Sequence, residues 1–245
     1  MMKIKFLLYN LFGIYCLIPF VLSFIVVIPI YFLLFSIGGP DAPYRAHRVS
    51  RAWAWLLFSS FFIRVKINNR EVIDPKKEYV FVANHLSVLD IPLYAVSCEN
   101  TFRFLSKAEL AKIPFLGYVI RKLYITVNRS DKTDRGRSIE KMKESLREGI
   151  SVFLAPEGTR NKTSAPLLAF KDGAFILAVQ SGIPLAVLTV INTHHLLSPA
   201  HPLALKPGTL HAEWSEPILT AGMTEKDIPI LKEMVRNKML TILKK

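Results

Sequence analysis

From residue 6 to residue 37 the chain reads FLLYNLFGIYCLIPFVLSFIVVIPIYFLLFSI, without one charged side chain. About 20 apolar helical residues cross a bilayer core, so this run exceeds a minimal span. Pro19 and Pro29 fall inside it, and membrane helices tolerate such kinks. Gly38, Gly39 and Pro40 then stop it. Lys3 and Lys5 would suit the start of a signal peptide, but the run is far longer than a cleavable apolar region of about 7–15 residues. An anchor is the expectation.

A second apolar piece follows, RVSRAWAWLLFSSFFIRVKI. Its core, from Ala52 to Ile63, is too short to cross alone. Arg45, Arg48 and Arg51 precede it, and Trp53 and Trp55 lie within or beside it. Basic heads with tryptophans describe a helix in the membrane interface; a buried helix of the main domain is the plainer alternative. Basic residues flank the first run on both sides, so charge does not decide orientation. A two-helix membrane-embedded unit with both ends near the cytosolic surface fits as well as a single crossing. Residues 1–64 are therefore expected to anchor the chain, and residues 65–245 to form one folded domain.

Lys and Arg total 32 against 19 Asp and Glu, a net charge of +13. That excess selects anionic partners, nucleic acid or a membrane surface, and the apolar N-terminus favours the membrane. The bases are scattered and carry no signature of a nucleic-acid reader, so no nucleic-acid partner is expected. Cys16 and Cys98 are too few for a disulfide framework and suit a reducing compartment. His194, His195 and His201 are near one another in sequence but lack a carboxylate-containing zinc motif. Neither metal nor cofactor is expected.

Beyond residue 65 short apolar runs alternate with helical periodicity. Strands are expected at 79–83, 102–106, 124–127, 151–155, 184–190 and 209–214. Between them, Ile139, Met142 and Leu146 share one face of a helix from Thr133 to Arg147, which Gly149 ends. Further helices run from Phe170 to Gln180 and from about Thr224, the last burying Ile228, Leu231, Val235 and Ile242. The alternation predicts an α/β domain with a central, mostly parallel sheet flanked by helices.

In such sheets ligands bind where strands end and helices begin, and three junctions here are unusually polar. The first is ANHLSVLD, residues 83–90. On one continuous helix His85 and Asp90 would stand about 500° apart at ~3.6 residues per turn and share no face. With His85 in the turn and Asp90 on the following helix, the carboxylate can reach back to the imidazole Nδ1 and leave Nε2 free as a base. A helix-start histidine beside an unrelated aspartate is the bland alternative. The second junction is FLAPEGTRNKT, where Pro156 sets the strand exit and Gly158 allows close backbone approach. There Arg160 can fork onto a phosphate, and Glu157 could orient Arg160 or a substrate hydroxyl. The third holds Lys107 at a strand end, Pro114 and Gly117 in a helical region, and Arg129 after the next strand. Taken alone, these bases read as a solvated face.

Taken together the junctions match a known pattern. Asn84-His85 with four residues to Asp90, Lys107-Ala108-Glu109-Leu110 with Pro114 and Gly117, and Pro156-Glu157-Gly158-Thr159-Arg160 resemble, in order and spacing, the glycerolipid acyltransferase family. The chain most resembles its bacterial 1-acyl-sn-glycerol-3-phosphate acyltransferases, N-terminal membrane unit included. FKDGA (170–174) also looks like the family's lysine-glycine segment. One departure stands out: GIPLAVLTV keeps Pro184 but has Val187 where the family's second proline is expected.

The resemblance implies acyl transfer from acyl-CoA or acyl-carrier protein to the hydroxyl of a lysophospholipid. It implies catalysis by His85 and Asp90, and substrate binding by Lys107, Glu157, Gly158, Thr159 and Arg160. It also implies membrane lipids as partners, and a catalytic domain on the cytosolic face of an inner or plasma membrane. A lipid hydrolase is the rival of another class. No G-x-S-x-G elbow is present to serve it, and Ser87 reads as a packing or capping residue.

Overall fold

The structure, a computed structural model, describes residues 2–128 and 131–244; Arg129 lies outside them. The apolar run forms helix α1, Met2–Ile37, with both prolines inside it. Gly39 turns the chain at φ +58°, a conformation open to glycine because it has no Cβ. Helix α2, Ala42–Ser60, returns antiparallel to α1. Trp53 Nε1 donates to Ser23 Oγ at 2.9 Å, and Tyr31 and Ser50 share a 2.7 Å hydrogen bond. Phe20 and Phe24 pack on the Trp53 ring.

Helix α2 has two characters. Ala54 and Phe58 belong to the main core, while Trp55 and Leu56 face outward. It ends before the expected limit at Ile63: Phe62 takes φ +51° and Ile63 opens strand β1, Ile63–Asn68. The alternation in IRVKIN was hidden behind the longer apolar stretch, so this strand was not foreseen.

The remaining strands are β2, Val80–Ala83; β3, Phe102–Lys107; β4, Ile125–Val127; β5, Ser151–Leu154; β6, Leu185–Val190; and β7, Gly208–Ile218. Among the described residues they form one sheet in the order β1-β7-β6-β2-β5-β3-β4. Only the β6–β7 pairing is antiparallel; the other neighbours are parallel. The helices are α3, Asp90–Ser97; α4, Leu116–Leu123; α5, Lys132–Arg147; α6, Gly173–Ser181; α7, Thr193–Leu196; and α8, Ile228–Leu243. The mostly parallel, helix-flanked sheet is the α/β architecture that the strand–helix alternation predicts.

Successive side chains of a strand point to opposite faces, and here both faces are buried. Phe81 joins Phe102, Phe153 and Trp214 beneath α2 and α3. Val80 and Val82 join Met142, Phe175, Leu231 and Val235 beneath α5, α6 and α8. Burying each such large side chain is worth about 1.5–3 kcal/mol, and this doubly buried arrangement explains the near-continuous apolar strands. Val187 is fully buried in β6, and the ladder to β7 shifts register between Leu185 and Val187. Strands admit proline at such irregularities; here the irregularity persists with valine.

Helix α1 lies against the domain along its length. Phe6 meets the His201 ring edge-on at 5.1 Å, Cys16 enters the main core, and Phe32 stacks on Tyr118 of α4 at 4.1 Å. Its other side, including Leu7, Leu11, Ile18, Leu22, Ile25 and Leu33, is exposed.

Candidate active site

Because β2, β3, β5 and β6 run parallel, their C-terminal ends share one edge of the sheet. Asn84 pins that edge together. Its Nδ2 donates to Val190 O at 2.8 Å, and its Oδ1 accepts from Val190 N–H at 2.7 Å, extending the β2–β6 ladder by a side chain. The Tyr94 hydroxyl donates to Asn84 O at 2.7 Å. His85 is thereby held just beyond the last rung.

His85 sits in the turn and Asp90 is the first residue of α3. Nδ1 of His85 lies 2.7 Å from Oδ2 of Asp90. The same oxygen accepts the N–H groups of Leu86 at 2.6 Å and Ser87 at 2.8 Å. Oδ1 accepts the Thr193 hydroxyl from the start of α7. Asp90 is 0% exposed. A buried carboxylate is tolerable only when donors replace its water, and these four do so. An ionised carboxylate only accepts, so the imidazole hydrogen resides on Nδ1. Nε2 has no protein partner among the described residues, and the His85 side chain is 18% exposed. Ser87 donates to Leu197 O and accepts from Leu89 N–H; it packs and caps.

The PEGTR turn follows β5. Glu157, expected to orient Arg160 or a substrate hydroxyl, is 2% exposed and both its oxygens take backbone donors. Oε1 accepts His85 N–H at 2.9 Å and Oε2 accepts Leu168 N–H at 2.7 Å. Burial raises its pKa above the usual carboxylate value, and those two hydrogen bonds oppose the rise. Glu157 therefore fastens the turn to the histidine. Asn161 N–H donates to His85 O at 2.7 Å, closing the same junction from the other side. Gly158 takes φ +71°, and Lys171 N–H donates to Pro156 O at 2.7 Å, tying FKDGA to the turn.

Thr159 is exposed and Arg160 half-buried. The Arg160 Nε is buried without a hydrogen-bond partner among the described residues. Lys107 is exposed at the C-terminal end of β3, separated from β2 in the sheet by β5. The hydrogen bonds thus bring His85, Asp90 and Glu157 together, with Arg160 three residues further along the turn and Lys107 on the same edge. Thr193, Asn84 and Asn161 complete the constellation. Asn84 lay inside the noted motif, but no spacing could point to Thr193, which stands 103 residues from Asp90.

The three histidines diverge. His194 and His195 rings lie 4.1 Å apart, whereas His201 packs on Phe6. Among the described residues no group of three potential ligands converges.

Residues 64–191 match the family model described as acyltransferase. A 1-acyl-sn-glycerol-3-phosphate acyltransferase from Chlamydomonas reinhardtii is 30% identical over 66% of this chain and 48% of its own length. One from Saccharomyces cerevisiae is 33% identical over 69% of this chain and 56% of its own. The chain thus spans about half the length of these relatives. The crystal structure of the 1-acyl-sn-glycerophosphate acyltransferase from Thermotoga maritima superposes with a TM-score of 0.76 at 26% identity, covering 99% of this chain and 98% of that one. With its site built on the sheet edge and more than half its residues within the family match, the chain belongs to the acyltransferase family.

Proposed function

We propose that the protein moves a fatty acyl group from a thioester donor, acyl-CoA or acyl-carrier protein, to the 2-hydroxyl of 1-acyl-sn-glycerol-3-phosphate, forming phosphatidic acid. The observation that carries this reading is the buried Asp90 carboxylate 2.7 Å from His85 Nδ1, with Nε2 left open. Nε2 takes the hydroxyl proton as the oxygen attacks the thioester carbonyl, and Asp90 compensates the imidazolium. Collapse of the tetrahedral intermediate completes the ester bond and breaks the C–S bond. The imidazolium proton then goes to the departing thiolate. A general base of this kind contributes about 10²–10⁴-fold.

Arg160 and Lys107 are assigned to the acceptor phosphate, where charge-assisted hydrogen bonds are strong. The Arg160 Nε, without a hydrogen-bond partner among the described residues, supports that role. Helix α1 is long and apolar enough to cross a membrane, yet it lies along the domain. The reading that fits both facts seats its exposed face in one leaflet, with the domain at the cytosolic surface, so that acceptor and product need not leave the bilayer.

The test is an assay of purified protein with a panel of lysophospholipids and both donors. Wild type is expected to esterify lysophosphatidic acid, and His85→Ala and Asp90→Asn to lose about 10²-fold or more. Wild-type-like turnover in His85→Ala would sink the assignment. Release of free fatty acid independent of acceptor would make the protein a hydrolase.

A further inference from the structure

Among the described residues three other than glycine take a positive φ: Phe62, Asn69 and Phe115. Asparagine tolerates that region through its short polar side chain, whereas a bulky ring there is an outlier. Both phenylalanines are also largely exposed, Phe62 at 65% and Phe115 at 66%. Backbone strain and bare aromatic surface thus coincide at the same two residues. Strain of this kind persists where surrounding contacts hold it, and it concentrates at sites that bind something.

Both turns are firmly built. Pro114, Phe115 and Leu116 form a γ-turn of the rare, strained kind, with φ +61° and ψ −56° at Phe115. Leu116 N–H donates to Pro114 O at 2.6 Å and Gly117 N–H to Ile113 O at 2.7 Å, while Arg121 donates to Ala111 O. The backbone of this loop is occupied with itself, and Leu110, Ile113 and Phe115 remain exposed. Phe62 is held from two sides: its N–H donates to Ser59 O in α2, and its carbonyl accepts Gly208 N–H at the start of β7.

The two rings flank opposite ends of α1. Phe62 approaches Phe12 with ring centroids 6.3 Å apart. Phe115 O accepts Tyr118 N–H at 3.1 Å, and the Tyr118 ring stacks on Phe32. At ~1.5 Å of rise per residue, Phe12 and Phe32 lie about 30 Å apart along the helix, with exposed Ile18, Leu22 and Ile25 between them. Bases surround each ring. Exposed Arg64 and Lys66 follow Phe62; exposed Lys112, Arg121 and Lys122 surround Phe115, and Glu109 is the one acid from residue 107 to residue 122. Apolar tips among bases suit a segment that enters the tails of an anionic leaflet.

We propose that Phe62 and Phe115 insert between the lipid tails of an anionic leaflet as a pair of side anchors. A helix lying in the interface sets the depth of the protein but leaves the domain free to roll about the helix axis. Two rings outside that helix, one toward each end, stop the roll and fix the angle at which the His85 edge meets the bilayer. The inference rests on the leaflet seat of α1 given above and adds two contacts that α1 does not supply.

The test uses the full-length protein in vesicles of phosphatidylcholine and phosphatidylglycerol that carry a doxyl quencher on the lipid tails. An environment-sensitive fluorophore is attached to Phe62→Cys, Phe115→Cys, Leu22→Cys on the exposed face of α1, and Glu216→Cys on the far edge of the sheet. Both native cysteines are buried, and wild type labelled in parallel gives the background. Quenching of about twofold or more is expected at positions 22, 62 and 115, with none above background at 216. Phe62→Gly combined with Phe115→Gly spares both turns, since glycine takes a positive φ without strain, and circular dichroism verifies folding. That variant is expected to use bilayer-embedded lysophosphatidic acid about tenfold more slowly, and a short-chain, water-soluble acceptor within about twofold of wild type. Quenching at 22 without quenching at both 62 and 115 overturns the proposal, as do equal losses on the two acceptors. Shielding of the rings that depends on protein concentration would assign them to a second copy of the chain and overturn it too. Absence of quenching at 22 would instead overturn the leaflet seat of α1, so the two failures are distinguishable.

Discussion

Thr193 was invisible in the sequence and sits on the most constrained carboxylate of the molecule. Three donors converge on Asp90 Oδ2, while the hydroxyl of Thr193 holds Oδ1. Removing it leaves one buried lone-pair site unpaired and frees the carboxylate to turn away from His85. A lost hydrogen bond to a charged group costs about 1.5–3 kcal/mol, and each ~1.4 kcal/mol is a decade in rate. Thr193→Val is therefore expected to lower kcat about 10- to 100-fold, with KM values little changed. Thr193→Ser should recover most of the rate. Equal losses in both variants, or a loss carried by KM rather than kcat, would reduce Thr193 to packing. His85 and Asp90 themselves were legible, since the turn after a strand and the first position of a helix bring residues five apart together.

At the scale of elements, the sheet edge is held by side chains bonded to backbone. Glu157 links the turn after β5 to His85 and to Leu168, and its cost has a direction. Its folded pKa lies above the ordinary 4.5, so the folded state prefers the protonated acid. That contribution is fully present below the ordinary value and is lost as pH rises through the raised one. Glu157→Gln removes this dependence but keeps only one acceptor for two backbone donors. The variant is expected to melt lower than wild type at pH 7, by about 1–3 kcal/mol of lost hydrogen bonding, with the gap widening toward pH 4, where wild type regains the contribution that the raised pKa withholds at neutral pH. Thermal melts from pH 4 to 8 check this, and a gap that narrows on acidification would refute it. The motif showed an acidic residue beside a glycine and an arginine. Only the packing shows that the acid faces inward, because its partners are backbone groups and carry no residue signature.

For the whole molecule, the proposed seating in a leaflet turns on α1. Its outward face is apolar, and its inward face touches the domain so closely at Gly13 that an added Cβ would lie 1.7 Å from Leu203 O. Gly13→Leu must push α1 away from the 203–205 segment, and such overpacking typically costs about 1–3 kcal/mol. The variant is expected to remain in the membrane fraction after carbonate extraction, since the apolar run is intact. Its transfer to bilayer-embedded lysophosphatidic acid should fall more than transfer to a short-chain, water-soluble acceptor. Equal activity on both would show that seating α1 against the domain has no part in acceptor delivery.

The sequence by itself determined the α/β class, the long apolar helix and the order of the polar junctions. Those depend on local periodicity, on turn residues and on short-range spacing, all of which act along the chain. It left β1 hidden, because a strand of six residues following an apolar helix lacks a boundary until Phe62 adopts its left-handed turn. Only the tertiary structure decided that β1 and β7 extend the sheet, that Glu157 is a buried fastener, and that Thr193 completes the Asp90 shell. The reason is physical: each depends on contacts between segments distant in sequence, whose partners are backbone atoms or single hydroxyls. Such groups occur throughout the chain, and only the fold selects which of them meet.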